Sequence, residues 1–361
     1  MKGTVSFIPR ARTIEFFEYD LPEVADGAIL AEVSRTNVCG SEVHMWRGEF
    51  GKRGVMPGHE MVGRVYQLGK GVTQDTAGQP LKEGDRIAPV YYETCGECVN
   101  CRDGNAAACV VLGIRARRVG PHDPPHFHTP FATHYYIQPG QHVYKVPDNV
   151  PDHAASAANC ALSQVFFGLD QANLRYEETL LVQGAGGLGL HAMAVAKARG
   201  ARVIAIDGVD LRLQRAKAFG ADEGINYKTE DVAARVLEWG PEGVDVLWET
   251  RRETDFDWAV GLLAKRGRMV VMAGRDARPM LPVGPLYVKD CSVHGFAMFN
   301  YTAEEQRPCG DAINRWLAEG KLKANIDRVL LLSEVAAAHQ LQEENTIGLA
   351  GTLAGKIVLK P

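Results

Sequence analysis

The sequence predicts an α/β protein of two domains: a mostly β domain, then a domain built on a doubly wound parallel sheet. Three observations carry this. A chain of 361 residues exceeds what one hydrophobic core usually supports. Up to about residue 150, short β-type runs such as Ile29-Leu30-Ala31-Glu32-Val33 and Met61-Val62-Gly63-Arg64-Val65-Tyr66 are punctuated by Gly and Pro. From about residue 179, apolar runs of strand length alternate with helical stretches, the texture of βαβ units.

Six parallel strands are expected in the second domain, at residues 179–183, 202–206, 225–227, 244–248, 268–272 and 292–296. Gly200, Gly220 and Gly267 are read as left-handed caps closing the helices between them. Beyond residue 300 the pattern predicts helices at 303–318 and 334–342 and a closing strand at 356–359, a tail that rejoins the first domain. The expected division is therefore 1–160 with 301–361, and 161–300 between them.

Composition narrows the function classes. Hydrophobic residues at 46% and charged residues at 23% are ordinary for a globular chain and argue against disorder. A net charge of -4 offers no field to draw in a polyanion, so no nucleic acid partner is expected. The apolar stretch 154–169 is interrupted by Ser156, Asn159, Ser163 and Gln164, which suits a buried segment and not a bilayer span, so no membrane partner is expected either. Met1-Lys2-Gly3 runs directly into strand-like sequence without an apolar signal core, which points to the cytoplasm. There, eight cysteines are read as metal thiols and not as disulfides.

A nucleotide site is legible after the strand Leu180-Leu181-Val182. Gly184-Ala185-Gly186-Gly187-Leu188-Gly189 places G-x-G-x-x-G between a strand and a helix, where glycines permit the tight turn and free N–H groups can hold a pyrophosphate. Asp207 ends the next strand, where a carboxylate can hydrogen-bond both adenosine ribose hydroxyls and repel a 2′-phosphate. That favours NAD over NADP, with Gly208 following and Arg212 one helical turn on. The plainer alternatives are a glycine turn without ligand and an Asp207 that caps the next helix.

Two groups of metal donors stand out. Cys95, Cys98, Cys101 and Cys109 form C-x2-C-x2-C-x7-C, four thiolates able to close around a structural zinc, with Gly96 and Gly104 easing the fold around an ion; an iron–sulfur cluster is the alternative. Cys39, His59 and Cys160 are scattered, but together they would make Cys2His, the donor set of a catalytic zinc with its fourth position open. Singly, each is equally an ordinary buried cysteine or histidine.

Four motifs in this order, Val38-Cys39-Gly40-Ser41-Glu42-Val43-His44, Gly58-His59-Glu60, the four-cysteine lobe at about 93–112 and the glycine turn, resemble the zinc-containing medium-chain dehydrogenase/reductase family of alcohol dehydrogenases along essentially the whole chain. The resemblance implies a GroES-like catalytic domain made from both chain ends, a Rossmann domain between them, two zinc ions per chain and NAD. It implies reversible hydride transfer between a small alcohol, secondary or cyclic, and its carbonyl partner. It places Ser41 on the substrate oxygen, gives His44 the departing proton by way of the nicotinamide ribose, and makes Glu60 an outer group beside His59 or an occasional extra ligand. Homodimers or homotetramers, paired through the sheet edge at 292–296, are also implied. Other readings stay open: a polyol or amino-alcohol dehydrogenase, an aldehyde-consuming reductase, a dehydrogenase of glutathione adducts, or a non-catalytic NAD-binding relative. Gly40-Ser41-Glu42 leans to the polyol branch, whereas Cys160 stands where that branch often has Glu.

Some features depart from the family. Trp46, Phe50 and Tyr91 would shape an apolar pocket or simply pack the core. Arg115, Arg117, Arg118, His122, His126, His128 and His134 make a basic, histidine-rich stretch, read first as a solvated loop and second as a receiver of an anionic group. Trp248-Glu249-Thr250-Arg251-Arg252 is bulkier than the small residues usual beside a nicotinamide.

Overall fold

The computed structural model describes every residue except 50–53, 93–94, 96–97, 104–107, 110–118 and 302. The chain opens with an antiparallel pair, β1 (Lys2–Phe7) and β2 (Glu15–Asp20). A larger sheet then begins with β3 (Ile29–Val38), β4 (Glu60–Leu68), β5 (Arg86–Pro89), β6 (His134–Ile137) and β7 (Val143–Lys145), with short helices α1 (Glu42–Trp46), α2 (Val99–Arg102) and α3 (Asp152–Ala155) between and after them. Alternate residues of β3 and β4, among them Ile29, Ala31, Val33, Met61 and Val65, pack into one core with Ile87 and Ile137, as the two-residue period of a half-buried sheet demands.

The second unit alternates helix and strand: α4 (Ser163–Gln171), β8 (Thr179–Gln183), α5 (Gly187–Ala198), β9 (Arg202–Asp207), α6 (Asp210–Ala218), β10 (Glu223–Asn226), α7 (Val232–Trp239), β11 (Val244–Glu249), α8 (Phe256–Leu262), β12 (Leu263–Val271), α9 (Val283–Val288) and β13 (Ser292–Gly295). Its sheet runs β10-β9-β8-β11-β12-β13, all parallel. Strand order reverses between β8 and β11, the switch point at which such sheets bind ligands beyond the carboxyl ends of the strands. Leu181, Ile204, Ile206, Ile225, Leu247 and Met269 are buried, because helices cover the faces of a parallel sheet.

The chain then returns through α10 (Ala303–Ala318), β14 (Ile326–Leu331), α11 (Val335–Thr346) and β15 (Lys356–Lys360). β15 lies antiparallel to β3, which completes the sheet order β14-β15-β3-β4-β5-β7, with β6 also on β3. The first unit thus comprises Met1–Cys160, Phe299–Gly320 and Ile326–Pro361, and the second Ala161–Met298 with Lys321–Asn325. That last segment was expected with the first domain. It sits in the second because Asn325 Nδ2 donates to Gly187 O at 2.8 Å. Among the described residues no helix is long and apolar enough to cross a membrane.

Two local expectations need correction. β12 begins at Leu263, five residues before the apolar run that signalled it, and its pairing with β11 jumps from Leu263 to Arg268. The irregular stretch between, Ala264-Lys265-Arg266-Gly267, carries no strand period, so the sequence hides it. Gly200 and Gly220 do have left-handed backbones (φ 82° and 103°), but Gly267 does not; the left-handed residue there is Arg266 at φ 64°. Gly267 is needed for space, since a Cβ would lie 2.8 Å from Ala264 O and 2.8 Å from Leu263 Cβ.

The return of β15 depends on a side chain. Asn345, buried near the end of α11, donates to Thr352 Oγ1 (2.9 Å) and Leu341 O (3.0 Å) and accepts from the N–H groups of Thr352 (2.8 Å) and Leu353 (2.9 Å). Asn345→Ala leaves two backbone donors unsatisfied in a buried setting, and we expect it to lower stability by about 2–4 kcal/mol. The midpoint of chemical denaturation measures this; a midpoint unchanged from the parent would refute it.

Candidate functional site

Four donor residues from three segments converge in the first unit. Cys39 follows β3, His59 and Glu60 open β4, and Cys160 lies in a π-helical turn, Ala158–Leu162. One ligand atom from each of Cys39, His59, Glu60 and Cys160 lies within 4.8 Å of the others. Local structure explains the meeting. Gly58 has φ 98°, and a Cβ there would meet the Phe131 ring at 2.5 Å, so only glycine permits the turn that delivers His59. β3 and β4 pair with Asn37 opposite Glu60, which brings the Cys39 end of one strand to the His59 end of the other. The wide π turn, a form common at functional sites, presents Cys160.

Around the donors is a set of buried polar partners. Glu42, fully buried, has Oε1 3.0 Å from His59 Nδ1, and its Oε2 accepts from Cys39 N at 3.3 Å. The imidazole is thereby oriented, leaving Nε2 available to a metal. Glu60 is also fully buried; Lys356 Nζ lies 2.5 Å from its Oε1, and Asn37 Nδ2 donates to its Oε2 at 3.0 Å. Asn159 Nδ2 donates to both His59 O (2.9 Å) and Pro89 O (2.8 Å), fastening the segment before Cys160 to the histidine.

Electrostatics follow from this burial. The hydrogen bond from Cys160 holds the Cys39 thiol well below its usual range, with Lys356 and His59 acting in the same direction. The same contact, with burial, pushes Cys160 up, so the pair shares one proton. Burial opposes charge on His59, but Cys39 and Glu42 outweigh it and raise the imidazole to about 10. Burial raises Glu60 to about 7 against the opposing pull of Lys356. Two thiols and an imidazole brought together on one buried point match the donor set of Zn2+, whose binding would displace the protons they share.

Cys95, Cys98, Cys101 and Cys109 also bring their sulfurs within 4.8 Å of one another. Cys95 Sγ is 3.6 Å from Cys109 Sγ and 3.9 Å from Cys101 Sγ. Those separations are far beyond a disulfide and match the edge of a ZnS4 tetrahedron, about 3.8 Å for Zn–S bonds of about 2.3 Å. The N–H groups of Cys98 and Cys95 donate to Cys95 Sγ and Cys109 Sγ. Gly96, Gly104, Phe50 and Arg115, Arg117 and Arg118 lie outside the described residues.

In the second unit, the predicted glycine turn joins β8 to α5. Gly184 has φ 98°, and a Cβ on Gly189 would lie 1.9 Å from Gly184 O. Nothing lies within 4 Å of a Cβ built on Gly186, which caps α5 without a side chain. Leu190 makes the first helical bond, to Gly186 O, so the N–H groups of Gly187, Leu188 and Gly189 have no helical partner. Asp207 is buried; its Oδ2 accepts from Ala185 N (2.9 Å) and its Oδ1 from Val209 N (3.0 Å), while Arg212 Nη1 lies 3.8 Å from Oδ2. The residue that caps α6 is Val209, so Asp207 instead braces the glycine turn.

The remaining expectations divide. Ser41 is exposed and makes no cap hydrogen bond. His44 Nδ1 is hydrogen-bonded to Glu49. Trp46 stacks on buried His339 at 5.3 Å and belongs to the core, whereas the Tyr91 ring lies 4.7 Å from that of His59. The histidine-rich stretch is solvated only in part where it is described: exposed His122 hydrogen-bonds Tyr19 Oη at 2.7 Å, His126 stacks on Tyr19, and His128 and His134 are buried. Trp248 is fully buried, Thr250 fills the space beside Gly184, and Glu249 is buried with its carboxylate on Arg251. The sequence reading missed Glu42 as a partner of His59, and Lys356, Asn37, Asn159 and Asn325. A buried lysine 296 residues from its carboxylate leaves no local signal, but Glu42 at three residues from Cys39 could have been flagged as a carboxylate able to orient a ligand.

Comparison with known proteins agrees with this arrangement. Residues 25–148 match the family described as alcohol dehydrogenase GroES-like domain, and residues 187–313 the family described as zinc-binding dehydrogenase. The chain is 33% identical over 304 residues to a 5-exo-hydroxycamphor dehydrogenase of Pseudomonas putida, covering 78% of this chain and 80% of that protein. It is 32% identical over 237 residues to an L-threonine 3-dehydrogenase of Anaeromyxobacter sp. (strain K), covering 63% of each. The crystal structure of an alcohol dehydrogenase from Thermotoga maritima superposes with a TM-score of 0.86 at 25% identity, over 100% of both chains. The chain belongs to the zinc-containing medium-chain alcohol dehydrogenase family, oxidoreductases that act on CH–OH groups with a nicotinamide cofactor.

Proposed function

We propose that this chain transfers hydride reversibly between a small secondary or cyclic alcohol and NAD, at a zinc held by Cys39, His59 and Cys160. The observation that carries the reading is the convergence of two thiols and an imidazole on one buried point, beside carboxylates that each have a partner. Bound there, zinc would supply Lewis acidity to the substrate oxygen and NAD the hydride acceptor. Glu42 holds the orientation of His59, and Lys356 with Asn37 keeps Glu60 as an outer charge. Ser41, whose hydroxyl is uncommitted to a cap, hydrogen-bonds the substrate oxygen, and His44 takes the proton.

The free N–H groups of Gly187, Leu188 and Gly189, with Gly184 and Gly186 giving room, hold the cofactor pyrophosphate. Asp207 receives the ribose hydroxyls on its remaining lone pairs, flanked by Arg212. Cys95, Cys98, Cys101 and Cys109 hold a second, structural zinc. A ring alcohol is supported by the hydroxycamphor dehydrogenase relative. An amino-alcohol substrate is the second reading, favoured by Gly40-Ser41-Glu42 and the threonine dehydrogenase relative. Eight cysteines, six of them in the two metal-donor groups, suit a cytoplasmic location. Edge strand β13 and α9 expose Val283, Tyr287, Val288 and Val293, a surface that suits pairing into a homodimer or homotetramer.

Three measurements test this. Metal analysis of the purified protein is expected to give two zinc ions per chain, with one lost and NADH formation from cyclic and acyclic secondary alcohols abolished in Cys160→Ala. Two ions retained in that variant would refute the assignment, and a panel led by 2-amino-3-hydroxy acids would move the substrate to the second reading. Asp207→Asn removes the charge while keeping an acceptor, and the ratio of kcat/KM for NAD over NADP should fall at least about tenfold, the equivalent of about 1.4 kcal/mol; an unchanged ratio would place the ribose elsewhere. Val288→Asp should convert the assembly to monomers in light scattering, and an oligomer of parental mass would rule out this edge.

A further inference from the structure

His44 is not an isolated histidine. Its Nδ1 is hydrogen-bonded to Glu49, and the backbone N–H of Glu49 donates to His44 O at 2.9 Å, so the two residues are joined twice across one turn of chain. Arg47 Nε donates to the other Glu49 oxygen at 2.6 Å. Arg47 in turn reaches Glu343 Oε1 at 3.3 Å, and Arg12 lies 2.7 Å from that oxygen. His44 is 18% exposed and Glu49 33%, so the pair leads outward from a half-covered imidazole to a wet carboxylate. The His44 hydrogen bond, with help from Arg47, holds the Glu49 carboxyl below its usual range, so the carboxylate is present as an acceptor near neutral pH.

A carboxylate on Nδ1 fixes the tautomer: Nδ1 carries the hydrogen and Nε2 is left as the base. We propose that Glu49 is the outer member of a proton relay, fixing His44 in the Nδ1–H form and stabilising the imidazolium that His44 becomes when it takes the proton released as the alcohol is oxidised. The proposal rests on the reading of His44 as the proton acceptor given above. Oxidation of the alcohol by NAD yields the carbonyl, NADH and one proton. That proton arrives at Nε2, the Nδ1 proton stays on the ring facing the ionised Glu49, and the imidazolium then gives its Nε2 proton to water, which restores the Nδ1–H form. Reduction of the carbonyl runs the same steps in reverse. Glu49 acts through His44, so it is a positioning residue and touches neither substrate nor cofactor.

The test uses the zinc-loaded enzyme in single turnover, following NADH formation and proton release together in Glu49→Ala, Glu49→Asp and His44→Gln. Glu49→Ala should slow both signals about tenfold, within the range of general acid–base effects, with zinc content and NAD affinity unchanged. Formate added at constant pH and ionic strength should restore the rate, and Glu49→Asp should keep most of it. In the resting protein, 15N NMR of labelled histidine should show His44 as the Nδ1–H tautomer in the parent and shifted toward Nε2–H in Glu49→Ala. A parental rate in Glu49→Ala, or a slow rate that formate does not rescue with the tautomer unchanged, overturns the proposal. If His44→Gln is slow while Glu49→Ala is not, only this proposal fails; a parental rate in His44→Gln removes the relay reading itself.

Discussion

The buried pair between Glu60 and Lys356 is the constraint to which much of the first unit answers. A carboxylate with no solvent exposure is costly unless a cation and further hydrogen bonds accompany it, and removing one partner of such a pair costs about 3–5 kcal/mol. Here the cation arrives 296 residues after the acid, on the closing strand. β15 must therefore lie against β3, and Asn345 must hold the turn that feeds it. The Cys160 hydrogen bond does most to favour charge on Cys39, and the Lys356 ammonium group acts in the same direction. One ion pair thus links the return of the chain to the readiness of the donors.

Glu42 plays the corresponding part on the other side of the centre. It stands opposite His59 Nδ1 and receives the N–H of Cys39, so a single carboxylate acts on two of the donors. His339 Nε2 lies 3.7 Å from its second oxygen, on the helix that also carries Glu343. α1 and α11 are consequently joined at both ends: inside through Glu42 and His339, and at the surface through Arg47 and Glu343. The helix bearing Ser41 and His44 is too short to be stable alone, and these contacts give it a fixed position.

The second unit solves a simpler problem. Its parallel strands need no polar specification, only apolar runs and tight turns, and the glycines at 184 and 189 are required by backbone sign and by contact with each other. Asp207 joins the end of β9 to Ala185 in the neighbouring turn, so the residue proposed to meet the adenosine ribose also braces the loop proposed to receive the pyrophosphate. Asn325 holds Gly187 from a segment distant in sequence. The glycine turn is supported from both flanks, which keeps its free N–H groups in a fixed array.

Local chemistry made the α/β class, the six strands of the second unit, the glycine turn and the four-cysteine lobe legible in the sequence, whereas Cys39, His59 and Cys160 came together as one set through the family resemblance. The former depend on short-range rules: apolar period, backbone sign at glycine and ligand spacing within one excursion of the chain. The irregular start of β12 was hidden because Lys265 and Arg266 interrupt its period, and the packing of His122 and His126 on Tyr19 was hidden because neither end of that contact predicts the other. Only tertiary structure decided that Lys356 neutralises Glu60, that Asn159 fastens the Cys160 turn to His59, and that Glu49 holds His44. The long-range partners among these follow from which buried charges are left without water once the sheets close, a condition that exists only in the folded chain.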